Sequence, residues 1–182
     1  MEPILAEFIG TAVMILLGGG VVANVVLNKT KGNNSGWIVI TTAWAVAVFV
    51  GVTIAGPYSG AHLNCAVTLS VLFMGELSFV TALSYMAAQL AGSMLGAFVV
   101  WSVYKDHFDV TEDAGAKQAV FCTAPAIKNL PRNLLSEIVG TFVLIFTILH
   151  FQDATLDTTT PIGLGSIGAL PVAFLVWAIG LS

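Results

Sequence analysis

Long stretches without a charged side chain constrain the fold of this chain more than any other feature. Asp, Glu, Lys and Arg make up 9% of the 182 residues, against about 25% in an average soluble domain. Hydrophobic residues make up 57%, which leaves too little polar surface for a soluble enzyme domain or a disordered chain. The net charge of −4 also excludes a nucleic-acid-binding protein. The composition therefore predicts an integral membrane protein.

The uncharged stretches predict several membrane-spanning helices. A transmembrane helix needs about 20 largely apolar residues, and the apolar runs lack the alternation that a barrel strand would show. We predict five spans, at residues 4–27, 37–55, 80–104, 133–151 and 162–182. The predicted fold class is therefore an all-α, multi-pass integral membrane protein.

Residues 32–75 carry no charged side chain, yet they are too long for a single span. These 44 residues would form a helix roughly 66 Å long, about twice the thickness of the hydrocarbon core. We expect a break at residues 56–60, Gly-Pro-Tyr-Ser-Gly. The apolar run at 64–73 would then cover only about 15 Å as a helix, which predicts a re-entrant half-helix within residues 57–75. A segment lying on the membrane surface is the alternative, but it would be rich in Lys and Arg.

Two segments of the chain repeat each other. Residues 5–15 and 135–145 share six of eleven positions at an offset of 130 residues, including Glu-x-x-Gly-Thr beginning at Glu7 and Glu137. The copies are three predicted spans apart, so the second enters the membrane from the opposite side. This arrangement is typical of inverted-topology repeats, which place a solute site near the membrane midplane.

Residues 59–68 carry a specific family resemblance. The sequence Ser-Gly-Ala-His-Leu-Asn-Cys-Ala-Val-Thr resembles the first signature loop of the aquaporin superfamily, the major intrinsic proteins, at nine of ten positions. The exception is Cys65, where the family usually has proline. Both Glu-x-x-Gly-Thr segments and the Gln-Leu-Ala-Gly beginning at Gln89 also look like helices of that family.

The resemblance implies an aquaporin-like inverted repeat. Residues 1–104 would form the first repeat, 105–132 an extramembrane connecting loop, and 133–182 an incomplete second repeat. The family carries a second re-entrant loop and a sixth helix, and the 130-residue offset puts the second loop near position 194, past Ser182. We therefore expect a piece of a longer protein or a truncated product that would not close a selective pore alone, and we assign the family function to the complete protein.

Two residues point to the glycerol facilitator, or aquaglyceroporin, branch. Trp44 lies 20 residues before Asn64, where the resemblance implies a tryptophan of the selectivity filter. Gly180 matches the small filter position of the fifth helix. The alternative for Trp44 is an interfacial belt residue, although Trp37 suits that role better. The resemblance thus implies a passive channel for glycerol and water.

The resemblance also implies which residues line the pore. Asn64 would cap the half-helix and hold its amide toward the lumen, with Cys65 and Ala66 in the first turn. The backbone carbonyls of residues before it would replace the water that a solute gives up; these are the carbonyls of Gly60, Ala61, His62 and Leu63.

Three polar side chains are candidates for bracing the re-entrant loops. Carboxyl groups within a membrane need partners, and the resemblance implies that Glu7 and Glu137 accept hydrogen bonds from the loop backbones. Each glutamate has an interfacial position as its alternative. Gln89 is a similar candidate, with polar contact between helices as the alternative.

The predicted partners are glycerol and water as permeants, the lipid bilayer of the plasma (inner) membrane, and three further copies in a homotetramer. We expect no nucleic acid, cofactor, metal or catalytic group, and no pairing of Cys65 with Cys122. Open alternatives are a channel for water or another small neutral solute and a truncated, non-conducting subunit. A secondary transporter with inverted repeats is less favoured. All Lys and Arg lie at residues 29–31 and 105–132, a side that the positive-inside rule makes cytoplasmic and the aquaporin fold makes external; we follow the fold.

Overall fold

Helices form most of the regular structure in the computed structural model, which describes residues 1–152, 154–156, 160 and 162–182. The α-helices in this part of the chain are α1 (Pro3–Val26), α2 (Trp37–Ser59), α3 (Cys65–Phe73), α4 (Phe79–Val103), α5 (Lys105–Val110), α6 (Ala114–Ala119), α7 (Leu130–Ile148) and α8 (Leu170–Leu181). Within the described ranges, four helices are long and apolar enough to cross a membrane, namely α1, α2, α4 and α7.

The first three spans lie close to their predicted positions, with one correction. Helices α1 and α4 begin and end within one residue of the predicted 4–27 and 80–104. Helix α2 continues through Pro57 to Ser59, so the predicted end at residue 55 is wrong. Proline removes a single backbone donor, and here it falls in the last turns of the helix. Gly60, at φ 80°, then ends the helix in the left-handed conformation that glycine adopts without strain.

The segment after Gly60 forms the short helix that its length predicts. Helix α3 has nine residues, which corresponds to about 14 Å at 1.5 Å per residue. Asn64 precedes it as the N-cap, and its side-chain oxygen accepts a hydrogen bond from the backbone N–H of Ala66. Gly75, at φ 79°, then turns the chain toward α4.

The second part of the chain differs more from the predicted spans. Helix α7 begins at Leu130 instead of residue 133, with Asn129 as its N-cap. Regular helix begins at Gly165 with a 3-10 turn and continues as α8 from Leu170, so the predicted start at residue 162 is wrong. Proline lies in the first turn of both helices, where its fixed φ and missing N–H suit a helix start.

The region predicted as a connecting loop contains two short helices that cover one end of the bundle. Phe108 of α5 and Val120, just after α6, pack with Leu27 and Val100 in a buried cluster. Thr111 accepts a hydrogen bond from the backbone N–H of Asn28 at 2.9 Å. The connecting region is therefore attached to the α1–α2 turn. The division at residues 104 and 132 stays a prediction.

Helix α1 lies between α2 and α4 and approaches both through glycines. A Cβ on Gly92 would overlap the carbonyl oxygen of Phe8, and one on Gly51 would lie 3.0 Å from the carbonyl oxygen of Gly10. Such close backbone contacts are typical of helix packing in membranes, where lipid removes the hydrophobic drive for association. This packing fixes α1, and with it Glu7, beside α2 and α4.

Gly96 tests this packing most directly, because a Cβ there would lie 2.5 Å from the carbonyl oxygen of Ala12. We expect Gly96→Ala to lower the free energy of unfolding by about 1–3 kcal/mol, the usual cost of overpacking. The matched control is Gly20→Ala, since a Cβ at that helical position meets nothing within 4 Å and alanine favours helix. Thermal unfolding in detergent measures both; a Gly96→Ala protein as stable as Gly20→Ala would contradict this packing.

Candidate functional site: a cavity beside the re-entrant loop

A cavity of about 1020 Å³ lies between the re-entrant segment and helices α2, α7 and α8. Its lining includes several of the residues predicted for the pore, namely Trp44, Gly60, Ala61, His62, Leu63 and Asn64. Aliphatic side chains from α2, α7 and α8 form much of the facing wall, among them Val48, Val143 and Val176. The structure therefore brings the polar loop and an apolar wall together around one space.

Asn64 stands at the tip of the half-helix and lines the cavity. Its backbone is extended, at φ −153° and ψ 128°, and its Oδ1 accepts from the Ala66 N–H at 2.7 Å. The side-chain NH₂ donates to no described residue, so it is a free donor at the cavity wall. The first N–H groups of α3 add the partial positive charge of a helix N-terminus.

The four residues before Asn64 run with their N–H groups into the protein. His62 and Leu63 donate their N–H groups to the two carboxylate oxygens of Glu7, at 2.9 and 2.8 Å. Ala61 donates its N–H to the hydroxyl of Ser59 at 3.0 Å. Within the described part of the chain, no hydrogen bond reaches the carbonyls of residues 60–63. These carbonyls are acceptors in need of a partner.

This loop conformation is strained. Ala61 and Leu63 have φ of 50° and 49°, values that cost non-glycine residues of order 1–3 kcal/mol each. Such a conformation persists only where surrounding contacts fix it, and the bonds to Glu7 are those contacts.

Glu7 is fully buried and accepts four hydrogen bonds. Besides the two loop amides, its carboxylate accepts from the Ser59 hydroxyl at 2.6 Å and from Nε2 of Gln89 at 2.8 Å. Hydrogen bonds to a carboxylate are roughly twice as strong as neutral ones. The geometry therefore lets one side chain of α1 hold the loop, the end of α2 and the middle of α4.

Gln89 connects Glu7 to the half-helix. Its Nε2 also donates to the hydroxyl of Thr68 at 3.0 Å, and its Oε1 lies 3.4 Å from Sγ of Cys65. Ser59 and Thr68 both lie in the signature segment, but the sequence alone predicts no role for either. The spacing of four residues between Asn64 and Thr68, one helical turn, was the available signal.

Trp44 and Gly180 have different surroundings. The Trp44 ring packs on α1, since a Cβ on Gly18 would lie 2.6 Å from it, and it lines the cavity. Gly180 faces α2, where a Cβ would lie 3.2 Å from Cγ2 of Thr41, and it is not part of the described lining. Its carbonyl accepts from Nε1 of Trp37 at 2.8 Å, which ties α8 to α2. The filter roles of Trp44 and Gly180 stay predictions.

The remaining predicted site residues, Glu137, Cys65 and Ala66, form no hydrogen bond with the Glu7 carboxylate. Glu137 is exposed on α7, lines the cavity and forms no hydrogen bond with a described residue, so its bracing role stays a prediction. Cys65 and Ala66 lie in the first turn of α3, outside the described cavity lining. Cys65 and Cys122 are both free and exposed thiols.

The chain is similar to known membrane channels along its whole length. The family model described as Major intrinsic protein matches residues 1–182. The chain is 47% identical over 182 residues to a probable glycerol uptake facilitator protein of Thermotoga maritima, and 50% identical over 182 residues to a glycerol uptake facilitator protein of Streptococcus pneumoniae. Each match covers the whole chain and 75% of the relative.

The fold is also similar to a solved structure. The X-ray structure of the aquaglyceroporin from Plasmodium falciparum matches with a TM-score of 0.79 at 24% sequence identity. The match covers 98% of this chain and 71% of that one. At this identity the similarity establishes the fold, an all-helical aquaporin-like arrangement.

Replacing the Glu7 carboxylate tests whether it holds the loop. Glutamine has one acceptor oxygen where the carboxylate has two, so Glu7→Gln leaves loop donors unpaired at about 1–3 kcal/mol each. We expect the amides of His62 and Leu63 to exchange with deuterium at least about tenfold faster. Glu2→Gln is the control, because the exposed Glu2 side chain forms no capping bond. Equal exchange in both variants would contradict the bracing role.

Proposed function

The chain belongs to the major intrinsic protein family, and from that premise we propose that it forms a passive transmembrane channel for glycerol and water. It is a multi-pass integral membrane protein and not an enzyme. Glycerol is proposed as the solute because the relatives are named glycerol uptake facilitator proteins. The geometry of the cavity gives a physical reason why glycerol would fit.

The single observation that carries this proposal is the two-sided wall of the cavity. Four carbonyls without hydrogen bonds from described residues and the free amide of Asn64 lie on the loop side. Most of the remaining lining consists of aliphatic side chains with Trp44, and its polar members include four residues of α7, namely Arg132, Ser136, Glu137 and Thr141. Glycerol has hydroxyl groups along one edge and a carbon skeleton along the other. The carbonyls replace the hydrogen bonds that its hydroxyls lose on leaving water, while the apolar wall contacts the skeleton.

The same geometry disfavours cations. The N-terminus of α3 carries a partial positive charge, and Asn64 presents a donor where a cation needs acceptors. Glu7, which would attract a cation, is fully buried and turned toward the loop amides. Exclusion of this kind needs no formal charge in the narrow part of the pore.

The main alternative to a passive channel is a secondary transporter, which couples solute movement to an ion gradient. Such proteins couple transport to intramembrane ionisable groups. Among the described residues that line the cavity, the titratable side chains are His62, Arg132 and Glu137. The His62 ring bonds Thr68, and no hydrogen bond among the described residues links His62, Arg132 and Glu137, so these three groups form no continuous relay along the described wall. We propose facilitated diffusion without coupling.

Stopped-flow swelling of liposomes tests the function, using the natural gene product that carries residues 1–182. We expect glycerol and water to enter rapidly, a larger sugar alcohol to enter slowly, and the rates to be insensitive to proton or sodium gradients. Empty liposomes are the control. Water flux without glycerol flux would overturn the solute assignment, and dependence on a gradient would overturn the passive mechanism.

Further assignments rest on the family resemblance. We propose that Trp44 and Gly180 form part of the selectivity filter, and that Glu137 braces the second repeat as Glu7 braces the first. We propose that residues 1–104 form the first repeat and residues 133–182 an incomplete second repeat, joined by the connecting segment 105–132. We also propose that the protein is a homotetramer in the plasma membrane, with a pore in each protomer.

Cys65 gives a prediction specific to this sequence. Its exposed thiol follows Asn64 at the tip of α3 and lies 3.4 Å from Oε1 of Gln89, so a bulky adduct would displace the Gln89 amide that bonds Glu7 and Thr68. We expect a charged organomercurial to abolish most glycerol flux, and Cys65→Ala to conduct and resist the reagent. Cys122→Ala is the matched control and should stay sensitive. If Cys65→Ala were inhibited as strongly as the parent, the placement of this thiol would be refuted.

A further inference from the structure

We propose that Thr68 is a positioning residue whose hydroxyl fixes the His62 imidazole in one tautomer, with Nδ1 protonated and a bare Nε2 lone pair facing the cavity. This adds a side-chain acceptor to the row of backbone carbonyls. Its consequence for transport rests on the proposed function, whereas the tautomer itself follows from the hydrogen bonds of the fold.

The Gln89 side chain is 4% exposed and bonds both Glu7 and Thr68. A carboxylate only accepts hydrogen bonds, so the Gln89 atom 2.8 Å from Oε2 of Glu7 is the nitrogen Nε2. The same nitrogen lies 3.0 Å from Oγ1 of Thr68 and donates its second proton there. The amide orientation of Gln89 thus makes Thr68 an acceptor.

Thr68 has a single proton to give, and we assign it to the Asn64 carbonyl, whose second lone pair is left over after the bond from the Thr68 N–H at 3.0 Å. The hydroxyl is fully buried, and besides Gln89 it has two neighbours, the carbonyl oxygen of Asn64 and Nδ1 of His62, each at 3.1 Å. A carbonyl only accepts, and a threonine hydroxyl in a helix commonly donates to the carbonyl one turn before it. With its proton on Asn64, Thr68 accepts from His62, so Nδ1 of His62 carries a proton.

The rest of the His62 environment leaves Nε2 open. The imidazole meets the Tyr85 ring edge-on, with centroids 5.2 Å apart and an interplanar angle of 75°, which fixes its orientation. A Cβ on Gly60 would lie 3.9 Å from Cδ2 of His62, and no described residue forms a hydrogen bond with Nε2. His62 lines the cavity. The Glu7 carboxylate binds the His62 backbone N–H.

This tautomer determines whether a permeant meets a hydrogen-bond acceptor or a hydrogen-bond donor at Nε2 of His62. A bare Nε2 accepts a proton from a hydroxyl, as the carbonyls of residues 60–63 do, so the wall presents acceptors up to the donor of Asn64. The opposite tautomer would place an N–H donor among them and interrupt the row. Thr68 thereby matches this side of the wall to hydroxyl-rich solutes without touching them.

Solid-state NMR of the ¹⁵N-histidine-labelled protein in bilayers reads the tautomer directly, above the pH at which histidine becomes charged. The spectrum of His62→Gln identifies the His62 signals against those of His107 and His150. We expect a protonated Nδ1 and an unprotonated Nε2 in the parent, retention of this pattern in Thr68→Ser, and loss of it in the isosteric Thr68→Val. A protonated Nε2 in the parent would overturn the proposal, even if Thr68→Val failed to fold.

Glycerol flux provides a second readout. We expect Thr68→Val to lower glycerol permeability about fivefold, the effect of about one net hydrogen bond, and Thr68→Ser to recover most of that loss. An unaltered His62 spectrum in a folded Thr68→Val protein would also refute the positioning role. A parent without glycerol flux but with the expected His62 spectrum would refute the proposed function and leave this inference standing.

Discussion

The buried carboxylate of Glu7 joins the loop, α2 and α4 through hydrogen bonds, and we propose that the loop, and hence the cavity wall, depends on it. Two loop amides, one hydroxyl and one side-chain amide converge on it from α2, the loop and α4. Because these bonds take the N–H groups of His62 and Leu63, the neighbouring carbonyls are left to the cavity. Their strength also offsets the positive φ of Ala61 and Leu63. The loop therefore presents polar groups without a formal charge to the cavity, and the charged side chains of the described lining, Arg132 and Glu137, come from α7.

The sequence predicts those features that follow from length and from backbone chemistry. The uncharged run of residues 32–75 exceeds the bilayer thickness, so a break was unavoidable, and Asn64 is a favourable N-cap that begins a helix too short to cross. Helix α3 begins and ends where this reasoning puts it. The repeated Glu-x-x-Gly-Thr singled out Glu7 because a carboxyl group in a membrane needs partners.

Other features could not be predicted from the sequence, because tertiary contacts override the local preferences of single residues. Pro57 indicated a helix end, yet α2 continues to Ser59. The Ser59 hydroxyl then donates a hydrogen bond to the Glu7 carboxylate, a tertiary contact that the local sequence does not reveal. Pro171 lies in the first turn of α8 and indicates where that helix begins. The predicted start at residue 162 followed from hydropathy alone, which does not register this proline. The Thr68 hydroxyl looked like an ordinary polar atom of an apolar helix. Its role depends on Gln89, 21 residues away, which no local pattern reveals.

The most direct test of this account is a high-resolution experimental structure of the natural gene product in lipid with glycerol bound. We expect glycerol hydroxyls within hydrogen-bonding distance of carbonyls in residues 60–63 and of the Asn64 amide, with the carbon skeleton toward the aliphatic side chains. This expectation would be contradicted if those carbonyls were paired within the protein, or if glycerol lay elsewhere while the loop no longer contacted Glu7.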